Sequence, residues 1–377
     1  MKILLVCEAV FPENKGGLER WMVWLAENLS NLNFEVEYIN ASGVNEIRGK
    51  VKYTSVKSKN WSYVGDGKRS IKQSIDFAFA IRPLIRTSNP EVIYSVQAPI
   101  FSLFSLALWF RRQWMLIVEW IEIWSLEYWR KYLGFVLGTI GFYVQSMAQK
   151  VGDVRVVFSQ RCLRQLGEHD YKNVLLPGLY MQSETVKLNS FKQRENLLFL
   201  GRFVGEKQPF LALEVARELK KLGWTGFLNV VGTGPLAMHL EQEISKNGMH
   251  TFVKLIENAT QGELDECFSG TFLLLHPSKR EGYGLAMIES AERGVPALLI
   301  DYPENASIDL SIPSQIIATT EDPKILAKLA FEAYLNQEAN YHSLKAWRDS
   351  SLPGMRAQKS VEKIVSLINE NRGVARS

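Results

Sequence analysis

Residues 197–232, LLFLGRFVGEKQPFLALEVARELKKLGWTGFLNVVG, decide the fold class. The apolar run from Leu197 to Gly201 has the length and composition of a strand. After a loop, Ala212, Val215, Ala216, Leu219 and Leu222 recur at helical spacing, and Gly223 stands where a helix can end in the left-handed conformation. A second β-rich run, GFLNVVG, follows. Strand, helix and strand in this order form the unit that joins two parallel strands by a crossover helix.

The same alternation extends in both directions. Upstream it runs through KILLVCE, a helix from about Leu18 to Leu32, EVEYINA, a helix near 69–87, then VIYSV, MLIVEWI and VRVVFS with helices between them. Downstream come FVKLI, TFLLLHP and VPALLID, again separated by helices, with Thr260 and Glu263 spaced as a capping box. Residues 173–196, a stretch without clear periodicity, suit a linker between the two series. A chain of 377 residues exceeds what one hydrophobic core usually sustains, so two doubly wound α/β domains are expected. Ligands of such sheets bind outside the carboxyl ends of the strands, which places the expected site in a cleft between the domains. The final helix, roughly 355–370, carries Val361, Ile364, Val365 and Ile368 on one face and must dock.

Composition narrows the function. A formal charge of +4 is too mild to indicate nucleic-acid binding. Cys7, Cys162 and Cys267 have neither metal-ligand nor disulfide-framework spacing, which fits a reducing, cytoplasmic setting. The N-terminal run reads as a first strand without signal-peptide organisation, and residues 92–110, although uncharged, read as a buried strand and helix because Pro99, Ser and Gln interrupt them.

The chemistry gathers in the loops. In HPSKREGYGLAMIESAERGVP, residues 276–296, a strand ends at Pro277, Gly282 and Gly284 permit a sharp turn, and a helix starts near Leu285. Its first turn presents unpaired N–H groups suited to a phosphate or a sugar hydroxyl. Glu281 reaches that mouth from the loop and Glu289 from one turn inside the helix, and as carboxylates they suit sugar and ribose hydroxyls. The competing reading makes Glu281 a helix cap or a partner of Lys279 or Arg280, and Glu289 a solvated helix residue. Arg202, just after a strand, and Lys207, just before a helix, would neutralise a pyrophosphate leaving group, with plain solvation as the alternative. Gly16 and Gly17 offer another place for backbone to approach an anion, and VVGTGP lacks the third glycine of a dinucleotide fingerprint. No metal-ligating cluster is evident, so no metal or other cofactor is expected.

Together, Gly-Gly-Leu-Glu in the first loop, Gly201-Arg202 followed by Lys207, VVGTGP, and the Glu281-x7-Glu289 pattern resemble the retaining family-4 glycosyltransferases of the GT-B fold. The resemblance implies two Rossmann-like domains facing each other across a cleft: residues 1–178 for the acceptor and 190–350 for a nucleotide-sugar donor, with a helix at 355–372 crossing back to the first. It implies catalytic roles for Arg202, Lys207 and Glu281, and donor contacts from Gly16, Gly17, Gly201, Ile256, Gly282, Tyr283, Gly284, Leu285 and Glu289, with Glu257 beside the base. Where relatives often carry a histidine in the first domain this chain has Ile121, and no histidine precedes His169. A retaining reaction, in which the leaving phosphate takes the acceptor's proton, tolerates that. Glu119 and Glu122 are acceptor-side candidates, and His276 is read as structural.

Residues 48–72 hold eight Lys or Arg against Asp66, with Tyr53, Trp61 and Tyr63 interleaved. Trp109, Trp114, Trp120, Trp124 and Trp129 then crowd together with Arg111, Arg112, Arg130 and Lys131. Such a mixture fits an anionic membrane surface on the inner face of the cell membrane and a lipid-linked glycan acceptor, or else a solvated loop with aromatic core packing. Two rival functions remain: a catalytically silent subunit that binds a membrane or partner enzyme, and a nucleotide-sugar epimerase of the same fold.

Overall fold

The structure, a computed structural model, describes residues 1–14, 16–56, 70–108, 114–167, 172–182, 186, 188 and 190–370. Trp61, Tyr63, Asp66, Trp109, Arg111, Arg112 and His169 lie outside the described residues. The chain forms two compact units, one of Met1–Met181 with the segment from Met355 onward, the other of Gln182–Gly354.

The first unit runs β1 (Lys2–Val6), α1 (Gly17–Asn31), β2 (Glu35–Asn40), β3 (Glu46–Arg48), β4 (Val51–Ser55), α2 (Ile71–Ser88), β5 (Val92–Val96), α3 (Ile100–Leu108), β6 (Met115–Trp120), α4 (Leu126–Leu133), α5 (Phe135–Ala148), β7 (Val154–Val157), α6 (Gln160–Leu166) and β8 (Lys172–Leu175). Among the described residues the sheet order is β3-β4-β2-β1-β5-β6-β7-β8, parallel except for β3. Helices on the sheet faces explain why β5 and β6 are buried at every position and show no apolar/polar alternation, with Ser95 and Glu119 as buried polar positions.

The second unit runs β9 (Asn196–Leu200), α7 (Pro209–Lys221), β10 (Leu228–Gly232), α8 (Ala237–Lys246), β11 (Val253–Glu257), α9 (Gln261–Ser269), β12 (Thr271–His276), β13 (Arg280–Glu281), α10 (Leu285–Glu292), β14 (Ala297–Ile300), β15 (Glu304–Asn305), β16 (Ile316–Ala318), α11 (Pro323–Leu335) and α12 (Gln337–Ser350). Its sheet order is β11-β10-β9-β12-β14-β16, all parallel, and β13 pairs with β15 outside it. In α7, Ala212, Val215, Ala216 and Leu219 pack into the core, while Leu222 is exposed at the end and Gly223 takes φ +94°. Thr260 and Glu263 close the capping box at the head of α9. β9 leads by crossovers to β10 and β11 on one side, whereas β12 begins the march to β14 and β16 on the other. The strand order therefore reverses between β9 and β12, which opens a crevice at their carboxyl ends.

The chain ends its described part with α13 (Ala357–Glu370), whose Val361, Ile364, Leu367 and Ile368 are buried. Val365, expected on that face, is only half-buried, and Leu367 takes the place in the core. Ser360 Oγ donates to Gly178 O at 2.7 Å, and Ala357 N donates to Tyr180 O at 2.8 Å. A Cβ on Gly178 would sit 2.0 Å from Met355 O, so this approach of two backbones requires glycine. The expected linker thus begins with strand β8, and Gly178 and Tyr180 hold α13; the strand is too short to display a period.

Candidate functional site

The reversal in the second sheet brings two loops side by side. One follows β9 and contains Gly201, Arg202 and Lys207; the other follows β12 and contains Glu281, Gly282, Tyr283 and Gly284. Glu206 O accepts from Lys279 N at 2.8 Å. Gln208, at φ +53°, sends Nε2 to Pro277 O and to Tyr302 Oη, both at 2.7 Å. From beneath, Asn305 Nδ2 donates to Ser278 O at 3.1 Å, and the β13–β15 pairing fixes Glu281 opposite Asn305.

Within that frame Lys207 Nζ donates to Glu281 Oε1, and His276 Nε2 lies 3.1 Å from the same oxygen. Both members of the ion pair are only about one-sixth exposed, at 16% and 17% of the side chain. Burial alone pushes the Glu281 carboxyl up, but the Lys207 ammonium and His276 overcome it and hold the group well below the usual carboxylate range. Arg202 is exposed and forms no ion pair among the described residues, so its guanidinium is available to an anion. The two cations thus differ in kind: Lys207 is already partnered, and Arg202 has no ion-pair partner among the described residues.

Gly284 caps α10 at φ +98°, and a Cβ there would meet Ser307 Cβ at 2.5 Å, so both conformation and space demand glycine. Leu285 and Ala286 follow, and their amides precede the first bond of the turn, which Met287 N makes to Gly284 O at 3.1 Å. The Tyr283 side chain is 6% exposed and Glu289 is half-buried one turn into the helix. Ile256 lies opposite Val231 across the β10–β11 ladder, and Glu257 opposite Gly232, both at the same carboxyl edge. The Gly-Thr-Gly loop has a packing cause: a Cβ on Gly232 would lie 1.9 Å from Gly201 O and one on Gly234 2.5 Å from Phe203 O. Those glycines let the backbone of the Arg202 loop pass.

Gly16 and Gly17 form the head of α1 in the first unit. Glu119, expected to serve an acceptor, is instead interior: it is 1% exposed and its Oε2 accepts from Trp21 Nε1 at 2.8 Å and Tyr94 Oη at 2.5 Å. Burial raises its carboxyl to about 7 even though those two donors pull it down. A period-based reading could not place it, because every β6 position is buried. Glu122 is half-buried beside Ile121, in a loop pinned by Gln97, whose Oε1 accepts from Ile121 N at 2.7 Å and whose Nε2 donates to Glu122 O at 2.7 Å.

Several members of the basic and aromatic stretch also belong to the fold. Tyr53 and Trp120 are core residues, Arg48 pairs with Glu13 and Glu46, and Lys52 Nζ lies 3.0 Å from Glu37. The Gln208 brace and Asn305 were missed in the sequence because their contacts join separate loops, and His276 was read as structural because no local period shows that the loop after β12 folds Glu281 back onto it. Among the described residues no group of three or more His, Cys, Asp and Glu side chains is placed to hold a metal ion.

Comparison with known proteins agrees with this architecture. Residues 181–345 match the family described as glycosyl transferases group 1, and residues 1–57 match a domain of unknown function, DUF3492. A 2-deoxystreptamine N-acetyl-D-glucosaminyltransferase of Niallia circulans is 29% identical over 142 residues, covering 37% of this chain and 36% of that protein, so the match spans about a third of the relative's length. Among solved structures, sucrose-phosphate synthase of Thermosynechococcus elongatus superposes with TM-score 0.79 at 14% identity over 99% of both chains. WaaG, a glycosyltransferase involved in lipopolysaccharide biosynthesis, gives 0.73 at 15% identity, covering 97% of this chain and 99% of that one. HepE of Anabaena in complex with UDP and glucose gives 0.68 at 13% identity, covering 98% of this chain and 99% of that one. The fold is that of the GT-B glycosyltransferases, two Rossmann-like domains in succession.

Proposed function

We propose that the chain is a retaining glycosyltransferase that moves a sugar from a nucleoside-diphosphate sugar to a lipid-linked glycan or another cell-envelope precursor. The observation that carries this reading is the half-buried Lys207–Glu281 pair at the strand-order reversal, flanked by the exposed Arg202 and the head of α10. The glycosyl transferases group 1 match over the same residues supports it, as does the likeness to a fold solved with UDP and glucose.

In this reading Arg202, Lys207 and the α10 amides bind the diphosphate, Glu281 accepts from hydroxyls of the transferred sugar, Glu289 serves the ribose, and the β11 end at Ile256 meets the base. The bond from the anomeric carbon to the β-phosphate oxygen breaks, and a bond to the acceptor oxygen forms on the same face. The acceptor's proton passes to the leaving phosphate oxygen, so the first domain needs no imidazole. The two cations stabilise charge as it grows on the leaving group.

Calorimetric titration with nucleoside diphosphates, followed by NMR of the product formed from the sugar donor that binds, tests the proposal. A complex and a product of unchanged anomeric configuration are expected; an inverted product removes the retaining mechanism, and failure of every nucleotide to bind removes the donor site. Ile121, standing where relatives often carry a histidine, favours a second reading as a silent subunit, which the same experiment separates because such a protein binds without turnover.

A further inference from the structure

Helix α5, FVLGTIGFYVQSMA, contains no charged residue, and its polar side chains are turned to protein partners: Thr139 Oγ1 accepts from Arg130 Nε at 3.0 Å, Gln145 Oε1 accepts from Trp124 N at 3.0 Å and Ser146 Oγ donates to Phe142 O at 2.9 Å. Its inner side is settled. A Cβ on Gly138 would lie 2.3 Å from Trp129 O and one on Gly141 2.6 Å from the Trp129 ring, so these two glycines let α4 lie directly on the helix, while Gln145 and Ala148 are buried. Among the described residues its outer side is left open. Val136, Ile140, Tyr143 and Met147 follow one helical row, flanked by Phe135 and Leu137, and all six are 53–69% exposed. Monomeric proteins rarely leave so large a contiguous apolar patch open.

From this face we propose that α5 is the element that seats the protein on an anionic lipid surface, lying in the plane of the interface with its outer row among the acyl chains. At 14 residues α5 is about 21 Å long, below the ~20 residues needed to span a bilayer. Among the described residues no helix is long and apolar enough to cross a membrane. Charge selects the occupant. Lys131 in the last turn of α4 and Lys150 just past the end of α5 are exposed, Arg130 packs its guanidinium 4.2 Å from the Phe135 ring centroid, and Glu127 is the one acid on α4 and α5. Cations bordering an apolar face complement negatively charged headgroups, and Tyr128 and Tyr132 on α4 are of the kind that settles at the headgroup level. Helix α3 packs against both α5 and α2, and α2 leaves Ile71, Ile75 and Phe79 exposed in an i, i+4, i+8 row that would widen the contact. This inference is independent of the donor chemistry, because none of these residues belongs to the nucleotide site.

The test is flotation of the full chain with vesicles of phosphatidylcholine alone or with 30 mol% phosphatidylglycerol. Co-flotation with the anionic vesicles and weakening by high salt are expected. Ile140→Asp combined with Tyr143→Asp should cut the bound fraction about tenfold or more, since each buried apolar side chain lost and each charge gained opposes insertion. Ile47→Asp, at an exposed apolar residue of β3, should float like the parent. Unchanged melting temperature and unchanged nucleoside-diphosphate binding in the double variant show that the fold and donor site survive. The proposal is overturned if the parent chain stays with the soluble fraction, if the double variant floats as the parent does, or if sedimentation shows α5 occupied by a second copy that the two aspartates release.

Discussion

Glu281→Gln should separate affinity for the leaving group from turnover. In the free protein the Glu281 carboxylate occupies Lys207, so an arriving diphosphate must both share that ammonium and tolerate a neighbouring negative charge. At an effective dielectric of about 20, two like charges about 6 Å apart repel by about 3 kcal/mol. The 17% exposure of the Glu281 side chain and ordinary salt reduce this to about 1–2 kcal/mol, or roughly tenfold in affinity. The variant should therefore bind a nucleoside diphosphate about tenfold tighter by calorimetry. The complete nucleotide sugar should gain less, because an amide accepts less strongly from the sugar hydroxyls than a carboxylate, and kcat should fall about 10²-fold or more. Weaker binding of the bare diphosphate together with unaltered kcat would refute the electrostatic account.

The two cations should respond differently to removal. Arg202→Ala is expected to lower nucleotide affinity and kcat with little change in melting temperature, since the side chain is exposed; Lys207→Ala should lose activity and also destabilise the fold by about 1–3 kcal/mol, because Glu281 is left half-enclosed without its partner. Denaturant titrations and steady-state rates on both variants check the contrast. Glu119 supplies a pH dependence: its folded carboxyl is raised to about 7, so between the unfolded value and 7 the folded state holds the extra proton, and stability declines as pH rises through that window. Glu119→Gln keeps an acceptor for Trp21 and Tyr94 and should flatten that decline, by on the order of 3 kcal/mol between pH 4.5 and 8 in urea unfolding. A slope unchanged by the substitution would assign the pH dependence elsewhere.

The sequence by itself determined the local units. The apolar runs of β9, β10 and β12, the buried row of α7, the glycine that ends it and the Thr260–Glu263 cap all follow from periods and caps spanning a few residues, and the structure contains each of them. Gly284 was legible for the same reason, since a strand-to-helix turn needs a left-handed residue at that point. Tertiary structure decided the rest. Lys207 and Glu281 are 74 positions apart and meet because β9 and β12 are neighbours at a reversal of strand order, a fact about sheet assembly that no local period encodes. His276, the last residue of β12, meets Glu281 because the chain folds back within five residues and pairs as β13 with β15, and Glu119 is lost to the interior because β6 lies mid-sheet, covered on both faces. The open row on α5 has the same origin: a helix without charges gives little hint of which side its neighbours leave bare until Gly138 and Gly141 admit α4 to one of them.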